Sequence, residues 1–133
     1  MKFNWFIGID VSKKTLDITV LKSNQKVLFK QIENSVKHLK AFLKELKSKG
    51  VIISESLICM EHTGIYCNPS IELAEKMHLN LWLENATQIK LSIGLQRGKN
   101  DKVDSERIAE YAFRNQDKAL LRQPEREAMK KLK

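Results

Sequence analysis

The first third of the chain alternates between apolar and polar positions in the manner of β-strands. Apolar residues dominate from Trp5 to Val11, and Thr15 to Leu21 alternates with a period of two residues. After a polar turn the alternation resumes from Lys26 to Ile32, through Val27 and Phe29 and with a change of phase before Ile32. The pattern predicts an antiparallel three-stranded meander.

The middle of the chain combines helical and strand patterns. Ser35 can cap a helix that Gly50 ends, and Asn68–Pro69 begins a second helix. The short apolar runs Ser56–Met60 and Leu79–Leu83 fit buried strands. The predicted buried stripes are Val36, Leu39, Phe42, Leu43 and Leu46 in the first helix and Ile71, Ala74 and Met77 in the second.

The last third of the chain predicts two further helices on either side of a basic loop. After Asn85 a short helix passes through Ile89 and Ile93, and the loop 94–100 contains two glycines. Asp101 is the predicted cap of the next helix. The buried face of that helix is predicted to comprise Val103, Ile108, Ala109, Ala112 and Phe113.

Hairpins therefore come first and crossover connections second, which predicts an α/β fold with a mixed five-stranded sheet and flanking helices. We expect a domain over residues 1–115. Residues 116–133 are highly charged, with a helix beginning at Pro124 that has nothing to pack against before the sequence stops. We interpret them as a helical linker truncated before a further domain.

Composition narrows the class of protein. A chain of 133 residues with 42% hydrophobic residues is enough for one compact domain, and no apolar run reaches the ~20 residues that span a bilayer. Two cysteines without zinc-finger spacing indicate reduced thiols. We expect a soluble, cytoplasmic protein. The net charge of +8 favours polyanionic partners, although a basic surface that only maintains solubility explains it equally well.

Carboxylates stand at three unusual places. Asp10 interrupts the hydrophobic first strand, and Glu61 directly follows the buried strand that ends at Met60. Asp101 and Asp104 are three residues apart at a helix start. Each has a simple structural explanation, namely a strand-end turn, a solvated strand end and a helix cap, respectively. A right-handed crossover that sets the fourth strand beside the first would bring Asp10 and Glu61 to one edge of the sheet.

Taken together, the four acids predict a metal site. Four carboxylates in one place repel each other and force at least one to stay protonated, and bound cations remove that difficulty. Mg²⁺ prefers hard oxygen ligands and keeps several waters, so a few carboxylates and a substrate phosphate suffice. Two such ions ~4 Å apart can serve phosphoryl transfer. An acidic site in a basic surround also suits a nucleic-acid backbone.

Three motifs stand out along the chain, in the order Gly8-Ile9-Asp10-Val11-Ser12-Lys13, Glu61-x-Thr63-Gly64-x-Tyr66 and Lys99-x-Asp101-x-x-Asp104. Together they resemble the motifs of a known family, the DEDD transposases of the IS-one-ten insertion-sequence type. The resemblance implies an RNase H-like fold similar to that of RuvC-type junction resolvases. It also implies that Asp10, Glu61, Asp101 and Asp104 bind Mg²⁺, for which Mn²⁺ can substitute. Asn100 and Ser105 depart from the family pattern without removing a carboxylate.

The activity that the resemblance implies is Mg²⁺-dependent breakage and rejoining of DNA strands during transposition. Family members add a C-terminal domain with a serine nucleophile, use an element-encoded structured RNA, and assemble as multimers. We therefore expect DNA, such an RNA and further copies of the chain as partners, with no membrane, in a prokaryotic cytoplasm at the nucleoid.

Two other functions stay open, and so do the roles of several residues. The chain could be a stand-alone RuvC-like junction resolvase or nuclease, or a non-catalytic RNA-binding module whose acids are only caps. Arg97, Lys99 and Lys102 could hold phosphates, although a solvated loop explains them almost as well. His62 fits a surface histidine better than a proton shuttle, and Tyr66 fits a core aromatic better than a stacking platform.

Overall fold

The alternating segments form one mixed β-sheet in the computed structural model, which describes residues 3–62, 64–93 and 104–121. In these residues the strands are β1 (Trp5–Val11), β2 (Thr15–Lys22), β3 (Gln25–Glu33), β4 (Ser56–Glu61) and β5 (Leu81–Glu84). The helices are α1 (Val36–Ser48), α2 (Asn68–Met77), α3 (Ala86–Ile93) and α4 (Ser105–Arg114). Short 3₁₀ turns occupy Ile53–Glu55, Gly64–Cys67 and Gln116–Lys118.

The sheet has the strand order β3-β2-β1-β4-β5. β1 pairs antiparallel with β2, and β2 pairs antiparallel with β3, so the predicted meander is confirmed. β4 lies parallel to β1 on its other side, and β5 lies parallel to β4. The connection through α1 is therefore the predicted crossover, because it places β4 next to the central strand β1 and parallel to it.

Each face of the sheet is covered by helices. On one face, α1 and α2 pack on Ile7, Ile9 and the inward residues of β2, and the predicted α1 positions Leu39, Phe42, Leu43 and Leu46 are all buried there. On the other face, α4 and α3 pack on Phe6 and Leu57. In α2 the buried residues are Ser70, Leu73 and Ala74, with Ile71 and Met77 partly buried against the same core.

The inward face of β3 differs from the sequence prediction. Val27 and Phe29 are 46% and 53% exposed, whereas Leu28 and Ile32 pack against the core. Leu28 pairs with Val20, whose side chain is buried, and the register shifts beside that pair. Because β3 is an edge strand, its alternate residues face solvent on the side that no helix covers there.

The start of α4 also differs from the prediction. Asp104, rather than Asp101, is the N-cap: its backbone is extended (φ −80°, ψ 172°), and its Oδ1 accepts a hydrogen bond from the Arg107 backbone N–H at 3.0 Å. The helix therefore begins at Ser105. Asp101, Val103 and the helix predicted from Pro124 lie outside the described residues.

Two remaining expectations concern cysteines and membrane spans. Cys59 and Cys67 are free and buried, as predicted for reduced thiols. Burial raises the pKa of the Cys59 thiol, which keeps it protonated in the core. Among the described helices, none has both the length and the apolar character required to cross a membrane.

Candidate functional site

Asp10 and Glu61 lie at the same edge of the sheet, on neighbouring parallel strands. Ile9 of β1 pairs with Met60 of β4, and the acids are the next residue on each strand. Both are thus at the carboxyl ends of their strands, where α/β sheets commonly bind ligands. Asp10 is buried, at 9% exposure, and Glu61 is half-buried. The expected convergence of these two strand ends is present in the backbone register.

The two acids share the face of the sheet that α4 covers. Side chains alternate along a strand, and residues two apart share a face. Phe6, two positions before Gly8, and Cys59, two before Glu61, both belong to the core beneath α4. Asp10 and Glu61 continue these two rows. They stand beside the helix, past the end of the apolar core.

Helix α4 reaches this face through an unusually close contact at Gly8. A Cβ atom on Gly8 would overlap the Ser105 carbonyl oxygen and the Ala109 backbone nitrogen. The helix backbone therefore lies directly on β1, and only glycine leaves room for it. A buried hydrogen bond of 2.7 Å between Thr19 Oγ1 and Ser105 Oγ ties the first turn of α4 to β2.

This docking determines where Asp104 lies. Asp104 directly precedes Ser105, whose carbonyl oxygen faces Gly8, and Gly8 is two residues from Asp10 on β1. The N-terminus of α4 is therefore held beside the acidic edge by the Gly8 and Thr19 contacts. One Asp104 oxygen caps the helix. The positive end of the helix dipole stabilises a carboxylate at the N-cap position.

Two further acids extend the row across the sheet, and sequence reasoning missed both as site residues. Asp17 on β2 is the pairing partner of Asp10, and Glu84 on β5 is the pairing partner of Glu61. Four neighbouring strands thus each present one carboxylate at the same level, which we call the acidic row (Asp17, Asp10, Glu61 and Glu84). Asp17 Oδ1 accepts a hydrogen bond from Gln31 Nε2 at 2.6 Å. The sequence feature that could have identified Glu84 is its position directly after a predicted buried strand, which is also what singled out Glu61.

Glu84 is held by two hydrogen bonds. Its Oε1 accepts from the Asn85 backbone N–H at 2.8 Å, and its Oε2 accepts from the Tyr111 hydroxyl at 2.7 Å. Burial, and then the hydrogen bond to this carboxylate, raise the pKa of Tyr111, because both disfavour the phenolate. Tyr111 also packs against Trp82, with ring centroids 5.4 Å apart. The far end of α4 is thereby tied to β5.

The structure describes only some of the residues that the sequence predicted for the site. Asp101, Arg97, Lys99 and Lys102 lie outside. Asp10, Glu61 and Asp104 lie inside, yet within the described ranges no three His, Cys, Asp or Glu side chains form a group that could hold a metal ion. The described part of the site is thus an arrangement of acids at one edge rather than a closed cage.

From the sequence, we assigned His62 to the surface and Tyr66 to the core. His62 is exposed, as expected, and its backbone N–H donates to the Glu84 carbonyl oxygen at 2.9 Å. Tyr66 is 39% exposed, so its assignment to the core was wrong. In the 3₁₀ turn that contains it, Gly64, Ile65 and Tyr66 are exposed and Cys67 is buried.

The donor chemistry of this edge fits Mg²⁺. The predicted ligands are oxygen-only carboxylates, and Asp10 is a buried acid at a strand end where a counter-ion lowers the cost of its charge. Mg²⁺ also tolerates an incomplete protein cage, because it retains waters and takes substrate phosphate oxygens. An open edge that presents Asp10, Glu61 and the α4 N-cap Asp104 meets that requirement.

The fold is RNase H-like, of the RuvC type. The structure matches that of Thermus thermophilus RuvC in complex with Holliday junction substrate with a TM-score of 0.59 and 13% sequence identity, covering 85% of this chain and 95% of that one. A second Thermus thermophilus RuvC structure matches with a TM-score of 0.59 and 13% identity, covering 88% and 98% of the two chains. No curated protein matches the sequence.

The family is established by the sequence itself. The model of the DEDD transposases of the IS-one-ten type, described as a transposase, matches residues 7–133. The chain belongs to this family. The resemblance found in the three motifs, and the five-stranded RNase H-like fold that it implied, are both confirmed.

Proposed function

We propose that this chain is the metal-binding catalytic domain of a DNA transposase, in which Asp10, Glu61, Asp101 and Asp104 hold Mg²⁺, as two ions. The observation that carries the proposal is that Asp10 and Glu61 end adjacent parallel strands on the face where α4 presents Asp104. The chain's membership of a transposase family supplies the reaction, which is breakage and rejoining of DNA strands.

The chain's own residues bind and orient in this proposal. Asp10 is fixed by its strand and its burial, so its carboxylate has few alternative positions. Glu61 and Asp104 approach from the next strand and from α4. Bound Mg²⁺ supplies charge neutralisation at the phosphate and lowers the pKa of an attacking hydroxyl group. The basic residues Arg97, Lys99 and Lys102 hold the nucleic-acid backbone.

The proposal extends to partners that lie beyond these residues. Residues 1–115 form the catalytic domain, and residues 116–133 lead to a C-terminal domain that supplies a serine nucleophile. The full protein acts as a multimer on DNA, with a structured RNA as guide, in the cytoplasm at the nucleoid. The net charge of +8 supports the choice of nucleic acids as partners.

The metal site is tested by calorimetric titration of Mn²⁺, with and without a DNA duplex, on matched glutamate variants. Glu61→Gln removes a proposed ligand at one end of β4, and Glu55→Gln removes a half-buried carboxylate that immediately precedes the other end. We expect saturable binding in the wild-type chain and in Glu55→Gln, and loss of binding in Glu61→Gln. Equal binding by both variants, or none by the wild-type chain in either condition, contradicts the proposal.

A junction-resolving nuclease is the second candidate, because the chain covers 95% of a RuvC whose structure was solved with a Holliday junction. The two candidates differ in whether this chain cleaves by itself. Cleavage of a four-way junction by the 133-residue chain with Mg²⁺, lost in Asp10→Asn, favours the nuclease. Metal binding without cleavage favours the transposase domain.

A further inference from the structure

The pairing of β1 with β4 reaches Ile9 and Met60, the residues directly before Asp10 and Glu61. On the outer sides, Asp10 still pairs with β2 and Glu61 with β5. The segments that follow the two strands lie beyond this pairing, so the contacts that join these segments also act on the separation of the two carboxylates.

Asn34, at the end of β3, joins those two segments. Its Nδ2 donates to the Ser12 carbonyl oxygen at 2.8 Å and to the Tyr66 carbonyl oxygen at 3.0 Å. Its backbone N–H donates to the Lys14 carbonyl oxygen at 2.9 Å. Ser12 lies two residues after Asp10, and Tyr66 lies in the 3₁₀ turn after Glu61.

The 3₁₀ turn is itself connected back to Glu61. The Cys67 thiol lies 3.7 Å from the Glu61 carbonyl oxygen, which it approaches as a donor. A continuous set of contacts thus runs from the turn after Asp10, through the Asn34 amide, to the backbone of Glu61. The orientation of this amide is fixed by chemistry, because both partners of Nδ2 are carbonyl oxygens and accept only.

We propose that Asn34 is a positioning residue that sets the separation of Asp10 and Glu61 for metal binding; this rests on the proposed function of those two acids. The amide uses both of its N–H groups to join the segments that follow β1 and β4. Without it, both carbonyl oxygens lose this donor, and the segments that follow the two strands lose the contact that joins them. Asn34 touches neither substrate nor metal in this role.

The chain offers a matched control at the opposite edge of the sheet. Asn80 Nδ2 also donates to two carbonyl oxygens, those of Ser54 at 3.2 Å and Ser56 at 3.1 Å. Asn80 and Asn34 have the same intermediate burial. Asn34→Ala and Asn80→Ala therefore remove the same kind of contact, without a change of charge, near and far from the acidic row.

The test is Mn²⁺ calorimetry on the wild-type chain and on both variants, after thermal unfolding shows that each is folded. Residues that orient ligands typically change metal affinity by about 10- to 100-fold, and we expect a loss of that size in Asn34→Ala. We expect no loss in Asn80→Ala, even where its unfolding midpoint falls as far. Equal affinities in the two variants would overturn the role of Asn34.

A second readout needs no metal. Hydrogen exchange of the backbone amides in residues 12–15 and 64–67 reports on the segments that Asn34 joins. We expect faster exchange there in Asn34→Ala and unchanged exchange in Asn80→Ala. Unchanged exchange in both variants would show that Asn34 does not hold the two segments together. If the wild-type chain binds no Mn²⁺, the proposed metal site fails, and the role of Asn34 at that site fails with it. If it binds and Asn34→Ala binds equally, only the role of Asn34 fails.

Discussion

At the scale of single residues, Asp104 caps a helix and, in the proposed function, also binds metal, and the sequence could not separate these two roles. Its side chain caps α4 by accepting from the Arg107 backbone N–H, and a cap alone explains an aspartate at this position. It also stands at the end of the helix that packs over Gly8, close to the acidic edge. Asparagine is as good a cap as aspartate but lacks the charge, so substitution can divide the two roles.

We predict that Asp104→Asn keeps the stability of the wild-type chain and loses Mn²⁺ affinity. Asp104→Ala loses the cap as well, which lowers the free energy of unfolding by ~1 kcal/mol. Urea unfolding and Mn²⁺ calorimetry on both variants measure the two effects.

Ser35→Ala is the control for this pair, because the Ser35 hydroxyl caps α1 by accepting from the His38 backbone N–H at 3.1 Å. It should cost a similar stability and leave Mn²⁺ affinity intact. Wild-type affinity in Asp104→Asn would mean that Asp104 serves as a cap alone.

The residue types of the site could be read from the sequence, whereas the full acidic row could not. Asp10 and Glu61 stand out because each interrupts or ends an apolar run. Asp17 occupies a polar position in an alternating strand, where an acid is unremarkable. Its place opposite Asp10 depends on the hairpin register, which local patterns leave undefined.

At the scale of elements, the contact between α4 and β1 determines the shape of the site. Gly8 lets the helix backbone lie on the strand, and α4 spans the sheet from Thr19 on β2 to Glu84 on β5. Both ends of the helix are hydrogen-bonded to strands. The position of its N-cap is therefore a property of the packing, since no local sequence signal specifies it.

We predict that Gly8→Ala displaces α4 and lowers the free energy of unfolding by about 1–3 kcal/mol, because the added methyl group overlaps helix backbone that cannot move independently. The displacement should also change the fluorescence of Trp82, which packs against Tyr111 of α4. Urea unfolding and native-state fluorescence measure the two effects.

Gly50→Ala is the comparison for Gly8→Ala. Gly50 has a φ of +96° and no atom within 4 Å of an added Cβ, so that substitution strains the backbone without touching α4. It should destabilise the chain with the native fluorescence unchanged. An unaltered unfolding midpoint in Gly8→Ala would show that the helix adapts to the methyl group at no cost.

The buried face of a helix could be predicted where apolar residues recur regularly over several turns. Features that depend on neighbouring elements could not be predicted. The four buried positions of α1 recur at helical spacing and are confirmed. The inward face of β3 was not predictable, because a register shift beside Val20 brings Leu28 inward and leaves Phe29 exposed. The start of α4 depended on which of two aspartates is the cap, and both are good capping residues.

At the scale of the whole molecule, charge is distributed unevenly. The chain carries a net charge of +8, yet four carboxylates line one edge of the sheet. A DNA phosphate that approaches this edge is repelled by the acids and attracted by the net positive charge of the chain. The topology that creates this edge followed from the order of hairpins and crossovers in the sequence, since few arrangements satisfy it.

We predict that Mg²⁺ strengthens binding of duplex DNA to the wild-type chain when ionic strength is held constant. A cation at Asp10 and Glu61 removes their repulsion of phosphate, whereas Mg²⁺ elsewhere only competes for the DNA backbone. Fluorescence anisotropy of a labelled duplex, titrated with Mg²⁺ and with an equivalent ionic strength of Na⁺, measures the difference.

The double variant Asp10→Asn, Glu61→Gln separates these two effects of Mg²⁺. With the charges removed, it should bind DNA more tightly than the wild-type chain in the absence of Mg²⁺, because the repulsion is gone from the start. Added Mg²⁺ should then only weaken its binding by competition. If Mg²⁺ weakens DNA binding by the same factor in the wild-type chain and the double variant, then no cation bridges this edge to DNA. The two acids would then have no role in DNA binding through Mg²⁺.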